Sequence, residues 1–148
     1  MGKVISFCNQ KGGTAKTTSV VNVAAYFGFA GKKTLLIDAD PQGNASSGLG
    51  IAKDDVEMSL YEVLTGQVTP EQAMCKTEVP HLHVIPANTN LAAAEIELVS
   101  EDNREYFLKQ ITDRIKENFD FILVDAPPSL GILTLNILTA SDSVIVPI

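Results

Sequence analysis

NQKGGTAKTT, residues 9–18, preceded by the apolar run KVISFC at 3–8, is the stretch that decides the fold. A β-branched run that empties into a glycine-containing loop and then a helix builds an anion site. Backbone N–H groups converge at the helix N-terminus, and the helix dipole favours phosphate there. The strict phosphate-loop pattern G-x-x-x-x-G-K-[ST] is broken at both glycines, because Gln10 stands at the first and Ala15 at the second. Lys16 and Thr17 are in place: the lysine offers a point charge to outer phosphates, and the threonine hydroxyl a ligand for Mg2+. Taken alone, the stretch also fits an ordinary turn before a helix.

Outward from the loop, the spacing predicts a helix over 17–30, with Val20, Ala24 and Phe27 on one face, Val21 and Ala25 on another, and Gly31 as its stop. KTLLID at 33–38 reads as a buried strand, which completes a βαβ unit with a parallel pair. PQGNASSGLG at 41–50 reads as loop. Ser59 with Glu62, and Thr69 with Gln72 and Pro70, form capping boxes that open two short helices. HLHVIPA at 81–87 reads as a strand carrying His81 and His83 on one face; with no third ligand, these are ordinary histidines rather than a metal pair.

Further along, Asn90 is a cap for LAAAEIELV at 91–99. Residues 104–118 set Phe107, Leu108, Ile111 and Ile115 against Lys109, Asp113, Arg114 and Lys116, an amphipathic helix. FILVD at 121–125 is a buried strand, a helix follows over 131–139, and SVIVPI at 143–148 opens another strand. Strands alternating with helices predict an α/β fold with a mostly parallel sheet covered on both faces. Because the sequence stops within a strand pattern, residues 1–148 are expected to be the N-terminal portion of a single domain, truncated at the C-terminus.

Composition narrows the function. With 148 residues, 45% hydrophobic and 20% charged, the chain is of ordinary globular make-up. A net charge of −7 repels nucleic acid and anionic membrane, and the 11 Lys and Arg are scattered. Cys8 and Cys75 have no metal-ligand spacing and imply no disulfide framework, as expected in a reducing cytosol. The apolar run 131–148 carries Asn136 and Asp142 and so reads as helix plus strand rather than a membrane span. A strand pattern almost from Met1 leaves no signal peptide to expect.

Two more segments carry chemistry. IDADPQGN at 37–44 brings Asp38 and Asp40 out of a strand at its carboxyl end, where open α/β sheets bind ligands. One carboxylate there can orient a water for attack on phosphorus while the other holds a metal's shell; a plain Asp-Pro turn with capping carboxylates is the competing reading. FILVDAPPSLG at 121–131 places Asp125 on a rigid strand end, as a hard oxygen ligand for Mg2+ should be. Pro127 and Pro128 have no N–H, so backbone contact with a terminal phosphate must come from Ala126 or from Ser129 onward.

NQKGGxxKTT, DADPQGN, DAPPSLG and the segment PANTNLAAAEIEL at 86–98 together resemble the ParA/Soj family of partition ATPases, with its "deviant" Walker A loop. The resemblance covers essentially the whole chain and implies a P-loop NTPase-like fold using ATP and Mg2+. Gln10 is then usual, whereas the family has glycine at position 15. By resemblance, residues Lys11, Gly12, Gly13, Thr14, Ala15, Lys16, Thr17 and Thr18 bind the nucleotide, Thr18 at the α-phosphate. Lys11 matches the signature lysine that reaches across an ATP-sandwiched homodimer, and Asp40 the residue that positions the attacking water. Thr17 and Asp125 match the Mg2+ site, with Asp38 behind them. One Mg2+ shared between Thr17 and Asp125 is expected to set the 3–8 strand beside the 121–125 strand.

The family's output is ATP-driven dimerisation, non-specific DNA binding through a later part of the chain, and release stimulated by a ParB-like centromere-binding protein. Chromosome or plasmid partition in the cytoplasm, associated with the nucleoid and without a membrane, is the expectation that follows. A nucleotide-sensing scaffold of the same fold that no longer hydrolyses ATP, and a division-site-positioning relative, are the alternatives. Ala15 bears on the first: a methyl beside the phosphate lysine is expected to intrude on the cradle and weaken ATP binding.

Overall fold

The computed structural model describes residues 2–9 and 14–147. Among the described residues six strands form one sheet: β1 (Lys3–Phe7), β2 (Thr34–Asp38), β3 (Cys75–Lys76), β4 (Leu82–Ile85), β5 (Phe121–Asp125) and β6 (Ser143–Ile145). Their order is β3-β4-β2-β5-β1-β6, parallel throughout except that β3 runs antiparallel to β4. Side-chain alternation along the strands builds two cores. Leu36, Val84 and Leu123 face α1 (Thr14–Phe29) and α2 (Asn44–Gly48), packing with Val20, Ala24 and Ala45. Leu35, Ile37, Ile85, Ile122 and Val124 face the opposite way, toward α3 (Leu60–Leu64), α4 (Pro70–Ala73), α5 (Leu91–Glu97), α6 (Phe107–Ile115) and α7 (Ile132–Ala140). The central strands are buried on both faces, which is why they read as continuous apolar runs.

The face predicted for α1 is the buried one. Val20 and Ala24 are closed to solvent, and Phe27 stacks on Phe121 with ring centroids 4.2 Å apart and 13° between planes. Such a pair contributes about 0.5–1.5 kcal/mol beyond its burial. The helix ends as its sequence requires. Gly31, at φ 84°, donates to Gly28 O, and Lys32 donates to Phe27 O, so the left-handed residue turns the chain and satisfies two terminal carbonyls. Both capping boxes form, at Ser59 with Glu62 and at Thr69 with Gln72. Buried Asn136 on α7 is fully used: it accepts from Leu108 N–H and donates to Arg104 O and Ile132 O, tying α7 to the start of α6.

Several expectations are corrected. β1 and β2 are parallel but not a pair, because β5 lies between them in register with both; helical and strand spacing fix element type, not neighbours. The 41–50 stretch holds α2, opened by Gly43 at φ 68°, whose Cα lies so near Ala87 O that a Cβ would stand 3.1 Å from it. The two-residue β3 escapes a sequence reading because it has too few residues to show a period. Asn90 has helical torsions and makes no side-chain cap; its N–H is held instead by Asn88 Oδ1 at 3.0 Å. His81 precedes β4 with a left-handed backbone, φ 64°, so it does not share a strand face with His83. The helix read over 104–118 is α6 flanked by 3-10 turns at Arg104–Tyr106 and Lys116–Asn118.

Candidate functional site

The topology fixes where a ligand can sit. The connection leaving β1 runs through α1 to β2, on one side of β5; the connection leaving β5 runs through α7 to β6, on the other side of β1. The chain therefore diverges at the carboxyl ends of β1 and β5, which is where open α/β sheets form their binding crevice. Phe7 and Asp38 are both register partners of Asp125 there. Ala39 N–H donates to Asp125 O and Ala126 N–H to Phe7 O, so the strand ends are stitched beyond the ladder itself. Since the Ala126 N–H is committed to the sheet, backbone donors for a phosphate in this loop must come from Ser129 onward.

Asp125 is the hub of this edge. Its Oδ1 accepts from the ammonium of Lys16, which also donates to Ala126 O, and its Oδ2 accepts from the Thr17 hydroxyl at 3.3 Å. Lys16 is 1% exposed and Asp125 not at all, so the ion pair is sealed. Burial raises the pKa of the Asp125 carboxyl above the ordinary aspartate value, with Lys16 opposing and the charge of Asp40 adding to the rise. The residues read as the metal site, Thr17 and Asp125, are thus brought together. Their hydroxyl and carboxylate oxygens are hard donors that suit Mg2+, which takes one or two protein oxygens and completes its shell with phosphate and water. Among the described residues no group of three or more His, Cys, Asp or Glu could hold a metal by itself.

Asp38 and Asp40 part company at the end of β2. Asp38 is fully buried and turned to the start of α2, where Ser46 donates both its N–H and its hydroxyl to Oδ2 at 2.9 and 2.6 Å. Its Oδ1 accepts the N–H of Asp40 at 3.1 Å. Burial pushes the Asp38 carboxyl up to about 6; the Ser46 bonds and the Asp40 N–H oppose this, and the Asp125 charge adds to it. Asp40, 7% exposed, accepts Gln42 N–H at 3.0 Å. Asp38 is therefore an anchor of its own loop. Ser46 is a residue that the sequence reading misses, because nothing in the spacing of GNASS marks a serine eight residues on as the partner of Asp38.

Of the nucleotide-loop residues, Lys11, Gly12 and Gly13, with Gln10, lie outside the described residues. Thr14 and Ala15 contribute backbone to the first turn of α1, Lys16 and Thr17 follow in the same helix, and Thr18 is exposed on it. No helix among the described residues is long and apolar enough to cross a membrane.

Comparison with known proteins agrees with this geometry. The chain is 52% identical over 148 residues to the sporulation initiation inhibitor protein Soj of Bacillus subtilis, covering 100% of this chain and 58% of that one. It is 46% identical over 148 residues to the chromosome partitioning protein ParA of Myxococcus xanthus, covering 100% of this chain and 52% of that one. The crystal structure of cobyrinic acid a,c-diamide synthase from Mycobacterium smegmatis with bound ADP and magnesium superposes with a TM-score of 0.96 at 44% identity, over 100% of this chain and 60% of that chain. The chain thus spans little more than half the length of its curated relatives. A family model described as AAA domain matches residues 2–148. The chain belongs to that AAA domain family, and its resemblance to the Soj/ParA chromosome-partitioning ATPases holds over its whole length.

Proposed function

We propose that this chain is the nucleotide-handling portion of a partition ATPase, which binds ATP with Mg2+, dimerises around it and hydrolyses it. The observation that carries the reading is the junction of Lys16, Thr17 and Asp125 at the diverging ends of β1 and β5, beside the loop that bears Asp40. Thr17 and Asp125 would hold Mg2+, which would supply charge to offset that of the phosphates. Lys16 would exchange Asp125 and Ala126 O for the phosphates. In this reading residues 11–18 would bind the anion, Thr18 at the α-phosphate, and Lys11 would serve the phosphates of the second subunit. Asp40 would orient the attacking water.

Soj and ParA relatives, and the ADP and magnesium of the Mycobacterium smegmatis structure, support this reading. In the intact protein the reading extends to chromosome or plasmid partition, in which ATP would drive a homodimer onto DNA and a ParB-like protein would trigger release, in the cytoplasm and on the nucleoid. The net charge of −7 on residues 1–148 works against DNA contact by this portion.

The test separates two roles in the intact protein. Asp40→Ala should abolish ATP turnover yet keep ATP-dependent dimerisation, because orienting the water acts on the transition state. Lys11→Ala should weaken the dimer, because its charge crosses the interface. Turnover assays with size-exclusion chromatography in Mg·ATP read both; the reverse pattern means that the roles are misassigned. A wild-type protein that dimerises without turnover would be a nucleotide-sensing scaffold instead.

A further inference from the structure

We propose that Ser46 is a positioning residue for hydrolysis, holding Asp40 in place through Asp38; this rests on the reading of Asp40 as the residue that orients the water. β2 ends at Asp38, and after one more bond to the sheet, from Ala39 N–H to Asp125 O, the chain leaves it as a loop at Asp40. What orders the loop is a chain of hydrogen bonds through two buried side chains. Ala87 N–H donates to Ser46 Oγ at 3.2 Å, the Ser46 hydroxyl donates to Asp38 Oδ2 at 2.6 Å, and Asp38 Oδ1 receives the N–H of Asp40 at 3.1 Å. The chain runs from the residue that follows Pro86 beyond β4, across the first turn of α2, to the backbone of the proposed water-orienting residue.

Each link is fully engaged. The Ser46 hydroxyl gives its one proton to Asp38 and receives one from Ala87, at 1% exposure, and Asp38 is closed to solvent. α2 has only five residues, too few to stand without tertiary support. Its hold on the sheet is Ala45 in the core and Ser46 on Asp38. Asp40 itself has one carboxylate oxygen on Gln42 N–H, and its carbonyl accepts Gly43 N–H, so the turn from Asp40 to Gly43 moves as a unit. That unit is fixed at its first residue by Asp38 and beyond its last by Ser46. Loss of the hydroxyl leaves the Asp38–Ser46 N–H bond but removes both the link to Ala87 and the shortest bond to Asp38. The turn then gains freedom without any change in the groups that face the phosphates.

The experiment uses the intact protein with Mg2+ and ATP. Ser46→Ala should lower kcat about ten- to hundredfold, the range a small misplacement of a reacting group produces. Its KM, and its equilibrium affinity for a non-hydrolysable ATP analogue, should stay within about twofold, as for an interaction realised only in the transition state. Ser46→Thr, which keeps the hydroxyl, should recover most of the rate. Asp38→Asn should lower kcat in the same way, and the Ser46→Ala/Asp38→Asn double variant should be no slower than the slower single one, because the two act through one contact. Ser46→Ala at the wild-type rate, beside an inactive Asp40→Ala, overturns the inference and leaves the Asp40 reading standing. Affinity and kcat falling together with the melting temperature overturns it in favour of a purely structural role. An active Asp40→Ala overturns the Asp40 reading and this inference with it.

Discussion

Lys16 and Asp125 form an ion pair sealed from solvent, in which the lysine also serves a backbone carbonyl and the aspartate also serves Thr17. Removing one partner of such a pair leaves the other charge buried, at a cost of about 3–5 kcal/mol. Asp125→Ala should therefore lower the unfolding free energy by that order in urea titrations without nucleotide. Asp125→Asn keeps a carbonyl oxygen for Lys16 but also removes its counter-charge, and should cost somewhat less than Asp125→Ala. Both variants should lose Mg2+-dependent ATP affinity by calorimetry, since an amide is a poor metal ligand beside a carboxylate. Asp125→Asn with unchanged Mg2+-dependent affinity would remove this residue from the metal site.

Asp38 makes stability depend on pH. Its carboxyl is raised from 3.8 to about 6, chiefly by burial, so the folded chain holds this proton more tightly than the unfolded one. Its contribution is then complete below about pH 4 and is lost as pH rises through about 6, a change of about 3 kcal/mol at 1.36 kcal/mol per pH unit. Asp125, also raised by burial, acts in the same direction. Urea unfolding of wild type and Asp38→Asn at several values between pH 4 and 7 should show the wild type declining more steeply. Parallel curves would mean that the Ser46 bonds hold the carboxylate ionised.

Gly28 is a glycine inside a helix, where alanine is ordinarily the better residue by about 1 kcal/mol. Here a Cβ would lie 2.5 Å from Pro80 O and 2.8 Å from Val79 Cγ1, against backbone that cannot step aside. Overpacking of this kind costs about 1–3 kcal/mol, so the clash outweighs the propensity gain. Gly28→Ala should lower the melting temperature by roughly 2–6 °C. Gly131→Ala is the contrast: the Cβ would meet Glu95 Oε2 at 2.0 Å, the far end of a side chain that can rotate away, and a scan should find it close to wild type.

Ala15 lies in the first turn of α1, so its backbone is helical, a conformation that alanine adopts without strain. The torsional reason for glycine at that position does not apply. The steric reason is left, so Ala15→Gly should tighten Mg·ATP binding while lowering helix stability by up to about 1 kcal/mol. Calorimetric titration of the pair is the check. A large gain in affinity for Ala15→Gly would show that the methyl intrudes on the phosphates.

Legibility in the sequence follows physical period. The buried face of α1 and both capping boxes are readable, because each rests on a run of several residues with one repeat or on a fixed four-residue spacing, whereas β5 next to β1 is expected only from the metal that Thr17 and Asp125 would share. The meeting of Thr17 with Asp125 is also readable, since one pattern ends a strand and the other opens a helix. What escapes is what distant pairs decide. The insertion of β5 between β1 and β2, the grip of Ser46 on Asp38 and the use of Asn88 rather than the Asn90 side chain all depend on contacts that leave no local trace. The same holds for the Ala126 N–H, which is free for a phosphate in the sequence alone and is taken once the strand beside it is placed.

The lone antiparallel strand gives the sheet two unlike margins. On the β3 side, pairing stops after Cys75 and Lys76, and Thr77 gives both its N–H and its hydroxyl to Leu82 O of β4, so that rim is only two residues long. β6 at the opposite rim pairs only with β1, and its residues are exposed. Within this portion the longer unpaired strand edge is therefore the one at β6. The crevice between β5 and β1 lies two strands in from the β6 margin, and four in from the β3 margin. A nucleotide held there would thus sit off-centre in this portion, toward its β6 margin.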